Sequence, residues 1–121
     1  MLLGNKDKEA LLAIFATATM PMEVWAYGSR VTGEAHEGSD LHLVIRTHNL
    51  EKLPMDVMLN LRGKIQRSNI PILVELFDWA RLPESFHRNI EANHEPFLSS
   101  LGTTLNEPEA GYQKTNDQKD V

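Results

Sequence analysis

Cysteine is absent from the 121-residue chain, which excludes disulfides and thiolate-held metals and agrees with a cytoplasmic protein. No apolar run approaches the ~18 residues that cross a bilayer, so no membrane segment is expected. The opening MLLGNKDKEALL has no basic flank before an apolar stretch and no small-residue cleavage site, so it does not read as a signal peptide. Internal repeats are absent. Basic residues are few and thinly spread, among them Arg30, Arg46, Lys52, Arg62, Lys64, Arg67, Arg81 and Arg88, and the net charge is −5. A duplex-binding module carries a clustered basic face, because phosphate neutralisation dominates such affinity. Nucleic acid is therefore a disfavoured partner, while a small anion held by backbone N–H groups and one or two bases fits.

What remains is a chain of ordinary globular composition, 41% hydrophobic and 24% charged, of a length suited to one small domain. Asn5 is placed to cap a helix running to about residue 18, with Asp7 and Glu9 in its positive first turn, and Pro21 breaks it. EVWAY (23–27) reads as a strand. A short helix is expected over 29–34 and a polar loop over 33–38. DLHLVIR (40–46) reads as a second strand. Leu53, Val57, Leu61 and Ile65 recur every four residues, with Met58 beside them, marking a helix over 53–68 with Pro54 in its first turn. PILVELF (71–77) reads as a third strand. Pro83 and Glu84 open a last helix with Phe86 and Ile90 on a shared face, and EPFLSSL follows as a strand or cap. The order implies an α/β (α+β) domain over 1–101, with a mixed three- to four-stranded sheet packed against helices. From Gly102 to Val121 the chain is polar and is expected to form a mobile tail.

Three features carry chemistry. Gly28-Ser29 closes the first strand, where glycine lets the backbone turn sharply and approach a ligand, and a following helix start with a serine hydroxyl suits an anion. Asp40 and His42 are two apart, so both point to one face of the second strand. Leu41 and Leu43 bracket them, and Leu43 and Val44 are expected to continue into the core. Glu75 interrupts the apolar third strand, costly unless it is paired, exposed at a rim or bound to a cation. Acids beside an anion cradle make sense where a divalent cation bridges them to phosphate. Asp78 reads as a loop or cap residue, Trp25 as core and Trp79 as a packed or partner-facing residue. His87 and Glu91 read as an exposed helix pair, with His94 at the helix end complementing its dipole.

Gly28-Ser29, ten residues, then Asp40-x-His42 resembles the GS-x10-D-x-D signature of the DNA polymerase beta nucleotidyltransferase superfamily. The context VWAYGSRVTGEAHEGSDLHLVI and the later ILVELFDWARLPESFHRNIE resemble its minimal nucleotidyltransferase (MNT) group. The resemblance implies transfer of a nucleoside monophosphate from an NTP, ATP by preference, to a hydroxyl. It implies a HEPN-domain toxin as partner, with this chain as antitoxin; a homo-oligomer is the other partner considered. It implies that Gly28 and Ser29 hold the triphosphate, that Asp40 and the residue at position 42 hold Mg²⁺ or Mn²⁺, and that Glu75 takes the third acid's place and handles the acceptor hydroxyl. Arg30, next after the turn, is placed either to contact the triphosphate or to form an exposed ion pair.

The sequence departs from that pattern at two positions. His42 stands where the family has an acid, and a neutral imidazole suits Mn²⁺, Zn²⁺ or Ni²⁺ better than Mg²⁺. Glu75 is a methylene longer than aspartate, and errors of about 1 Å in catalytic geometry can cost ~100-fold in rate. Three readings follow: an active transferase that tolerates His42, a degenerate member acting as a binding or antitoxin module, and a Zn²⁺-type site at Asp40, His42 and Glu75 with other chemistry.

Overall fold

The computed structural model describes residues 3–33 and 39–99. The expected loop over 33–38 falls outside them except for Gly33, and the expected tail over 102–121 falls outside them entirely. The order is α1 (Asn5–Phe15), β1 (Met22–Tyr27), α2 (Ser29–Thr32), β2 (Leu41–Thr47), α3 (Met55–Gln66), β3 (Val74–Asp78), α4 (Glu84–Ala92) and β4 (His94–Ser99). One-turn 3-10 helices at His48–Leu50 and Trp79–Arg81 follow β2 and β3. The strands form one mixed sheet in the order β3-β2-β1-β4. β1 pairs antiparallel with β2 and β4, and β2 pairs parallel with β3. A parallel pair needs a crossover, and α3 supplies it.

Strand alternation divides the side chains between two clusters. Leu41, Leu43 and Ile45 of β2 join Val24 and Ala26 of β1 on one face, where Leu11 and Phe15 of α1 and Met58 and Leu61 of α3 cover them. Each of the larger of these side chains, fully buried, contributes roughly 1.5–3 kcal/mol. The other face carries Trp25 and Val44, covered by Trp79 and by Ile90 of α4. Leu43 and Val44 thus serve opposite faces, which corrects the expectation of one shared core.

Several boundaries shift for local reasons. α1 starts at Asn5 with Gly4 in the capping position, so Asn5 does not cap it. It ends at Phe15, where the Thr17 hydroxyl donates to the Ile14 carbonyl at 2.6 Å and tightens the turn. Leu53 is buried just ahead of α3 and Pro54 occupies its capping position. β3 begins three residues after Pro71, although the Leu73 carbonyl already accepts from the Leu41 amide at 2.9 Å. The expected common face of Phe86 and Ile90 is not used: Phe86 is exposed, and His87 with Ile90 faces the sheet. Among the described residues no helix is long and apolar enough to cross a membrane.

Candidate functional site

The strand register lines up one residue from each of three neighbouring strands. Tyr27 of β1 lies opposite His42 of β2, and His42 lies opposite Glu75 of β3. All three belong to the sheet face that α4 covers only in part. Asp40 stands immediately before β2 on the same side of the alternation. Donor atoms of Asp40, His42 and Glu75 all lie within 4.8 Å of one another. The three residues are half-buried, at the rim of the sheet rather than in its core. His42 Nε2 approaches Glu75 Oε1 at 3.4 Å.

The other edge of the His42 imidazole faces the Gly-Ser turn. Gly28 has φ +92° and ψ −164°, a backbone conformation reserved almost entirely for glycine. A Cβ on Gly28 would stand 2.8 Å from His42 Nδ1. Glycine is therefore needed there twice, for the turn and for the ring packed on it. α2 starts at Ser29, and the Gly28 carbonyl accepts from the amides of Val31 and Thr32. Arg30 is buried, and its Nε donates to the Ser39 carbonyl at 2.9 Å. That bond ties α2 to the residue before Asp40, so one end of the site braces the other.

Two aromatic rings hold the imidazole plane. Tyr27 stacks on His42 with centroids 5.4 Å apart, and Phe77 tilts against it at 6.4 Å. Burial, and secondarily the negative charge of Glu75, push the Tyr27 phenol up to about 12. A neutral phenol is the form that tolerates an apolar wall and a nearby carboxylate.

A second cluster, which the sequence did not announce, lies on the same sheet face, further along the strands from this row. The Arg46 guanidinium sits 3.9 Å from the Trp25 ring centroid and 4.6 Å from that of Trp79. Its NH1 donates to Glu23 across the strand pair at 2.7 Å. His94 stacks on Trp25 and His87 on Trp79, at 3.7 and 3.9 Å. His87 is thus not half of an exposed pair with Glu91; its Nε2 bonds the Trp79 carbonyl at 2.6 Å. His94 Nδ1 does lie on the carbonyls ending α4. The alternation of Trp25, Tyr27 and Arg46 with buried aliphatics is the signal from which this face could have been read.

Asp78 takes no part in the row. Its buried carboxylate accepts from the Leu53 and Ala80 amides and pairs with Arg81, so it is a cap and tether, as its position past the apolar run suggested. Trp79 is buried rather than surface-facing.

The donor set can be tested against a divalent cation. Ligands about 2.0–2.2 Å from a common ion stand at most about 4.4 Å apart, so a spread of 4.8 Å closes with a small side-chain adjustment. Two carboxylates and one imidazole suit a cation that accepts both oxygen and nitrogen, as Mn²⁺ does. The residues present fit such an ion.

Comparisons with known proteins bear on the family and the fold. The family model described as "Polymerase beta, Nucleotidyltransferase" matches residues 9–100. "Probable protein adenylyltransferase MntA" of Haemophilus influenzae is 39% identical over 69 residues, 55% of this chain and 57% of that protein. The matched region thus spans little more than half of that relative's length. A crystal structure of a toxin–antitoxin with AMP-PNP superposes with a TM-score of 0.63 at 14% identity, covering 78% of this chain and 74% of that one. A mutant MntA–HpeT toxin–antitoxin gives 0.62 at 13% identity, with the same coverage. At such identities the two structures speak to the fold alone. The family match covers most of the chain, and the chain belongs to the polymerase beta nucleotidyltransferase family.

Proposed function

We propose that this protein is a minimal nucleotidyltransferase that transfers a nucleoside monophosphate, AMP by preference, from an NTP to a hydroxyl of a partner protein, and that the partner is a toxin of the HEPN type. The observation that carries the reading is the convergence of Asp40, His42 and Glu75 within 4.8 Å, beside a turn that only glycine can make. The relative named a protein adenylyltransferase supports a protein acceptor, and the toxin–antitoxin neighbours support a toxin partner.

In the proposed reaction the acceptor oxygen forms a bond to the α-phosphorus, and the bond from that phosphorus to the bridging oxygen breaks, releasing pyrophosphate. Gly28 and Ser29 bind the triphosphate through backbone N–H groups and the serine hydroxyl. Arg30 braces the turn through Ser39. Asp40, His42 and Glu75 would hold a divalent cation, which when bound neutralises charge developing on the phosphate oxygens. Glu75, at the open edge of the row, positions the acceptor hydroxyl and takes its proton. Tyr27 and Phe77 hold the His42 ring and keep water from one side of it.

One observation favours a second reading, in which the chain neutralises its partner by binding alone. His42 Nε2 lies 3.4 Å from Glu75 Oε1, so the imidazole competes with a cation for that carboxylate. Incubation with ATP labelled at the α-phosphate, Mn²⁺ or Mg²⁺, and the co-expressed toxin separates the two. Label on the toxin supports transfer. A tight complex without label, with either metal, refutes transfer and leaves the binding module.

A further inference from the structure

Among the described residues no strand pairs with the outer side of β3, and a groove of about 670 Å³ lies between β3 and α3. Its walls are mostly apolar and include Leu59 of α3 and Ile70, Ile72 and Leu73 of the segment leading into β3. Leu59 and Leu73 are each 59% exposed. Met55, one turn before Leu59 on α3, is also exposed and extends the apolar strip. Glu75 also lines the groove, although its carboxylate turns to the opposite face of the sheet, so groove and candidate site share the edge strand β3.

We propose that this groove docks the apolar face of a helix from the protein that accepts the nucleotidyl group, delivering its hydroxyl to Glu75; this rests on the transfer reading above. An open strand edge ordinarily invites another strand. Here Arg62 forestalls that: its Nε and NH2 both donate to the Leu76 carbonyl, at 3.2 and 2.7 Å. The backbone acceptor in the middle of the edge is taken, so an added strand would forgo that bond, which favours an occupant held by its side chains. An amphipathic helix laying its apolar face into such a groove is the recognition mode that fits. Among the described residues no carboxylate lies within ion-pair distance of Arg62. Its charge on the groove wall therefore suits an acidic side chain beside the apolar face of the occupant.

The test uses the full chain and a fluorescein-labelled helical peptide with leucines on one face, a glutamate beside them and a tyrosine near one end. A scrambled peptide of the same composition is the control. Anisotropy should show saturable binding of the ordered peptide, at least about tenfold weaker for a Leu59→Glu/Leu73→Ser variant. AMP-PNP binding by that variant should be unchanged, which shows that it is folded. Equal binding of ordered and scrambled peptides, or undiminished binding by the variant, overturns the proposal. α-Labelled ATP in the same samples reports on the transfer reading separately. Peptide bound at Leu59 and Leu73 but never labelled supports the groove and refutes transfer. Labelling indifferent to the variant supports transfer and refutes the groove.

Discussion

Replacing His42 by aspartate restores an acid where the family has one, and its consequences can be worked from the geometry. The substitution puts a third carboxylate beside Asp40 and Glu75, whose donor atoms lie within 4.8 Å of those of His42. Two like charges at that distance repel by about 3.5 kcal/mol at an effective dielectric of 20 and by under about 1 kcal/mol in water. The His42 and Glu75 side chains are 33% and 39% exposed, so solvent screening pulls the value towards the lower figure. Two new repulsions of about 1 kcal/mol each predict a loss of about 2 kcal/mol in chelator. At roughly 4–8 °C per kcal/mol for a domain of this size, Tm falls by about 8–16 °C. His42→Asn loses the same ring contacts with Tyr27 and Phe77 without adding charge, and its smaller loss isolates the electrostatic part. A cation bound at 100 times its Kd returns about 2.7 kcal/mol. Thermal unfolding should therefore show Mg²⁺ rescuing His42→Asp strongly, while the wild-type chain responds to Mn²⁺ more than to Mg²⁺. Equal stability of the Asp and Asn variants in chelator, or identical responses of wild type and His42→Asp to both metals, would refute the placement of His42 in a cation site.

Other expectations follow from single contacts. Gly28→Ala combines a backbone strain of about 1–3 kcal/mol with overpacking against His42. Chemical denaturation of Gly28→Ala, His42→Ala and the double variant should give a coupling of about 1–2 kcal/mol, and strict additivity would contradict the contact. The Tyr27 phenol should titrate near 12 rather than 10, read from the tyrosinate difference spectrum of wild type minus Tyr27→Phe. Because the folded chain keeps that proton longer, the contribution is present below pH 10 and is lost as pH rises towards about 12. A fully buried group would lose nearly 3 kcal/mol over that range, and the half-buried phenol about 1 kcal/mol after screening. Titration near 10 contradicts the burial argument. Asp78→Asn should cost about 1–2 kcal/mol in urea unfolding by weakening a carboxylate tether whose Arg81 partner is 36% exposed, yet leave the Mn²⁺ response intact. The reverse pattern would move Asp78 into the site.

Much of the fold was legible because its signals are periodic. The four-residue recurrence from Leu53 to Ile65 marked α3, and the alternation in DLHLVIR marked a strand with two distinct faces. What alternation alone does not say is whether the second face is solvated or covered. Here Trp79 and α4 cover it, so Val44 left the main core and Phe86 turned outward. The same face hid the Trp25–Arg46–Trp79 stack, whose members are far apart in sequence and meet only through pairing of β1 with β2. The site residues stood out for another reason: Asp40, His42 and Glu75 break apolar runs, and the register brings them together. Arg30 also braces the fold. Its Nε is engaged by Ser39, which no local pattern announces.

The central claim is a cation–nucleotide cleft built on Asp40 and headed by Gly28-Ser29. Calorimetric titration of AMP-PNP with Mn²⁺ into wild type and into Asp40→Asn tests it most directly. The account predicts saturable binding by wild type and a loss of at least about tenfold in the variant. Absence of saturable binding by wild type with either Mn²⁺ or Mg²⁺, or equal affinity in Asp40→Asn, would contradict it.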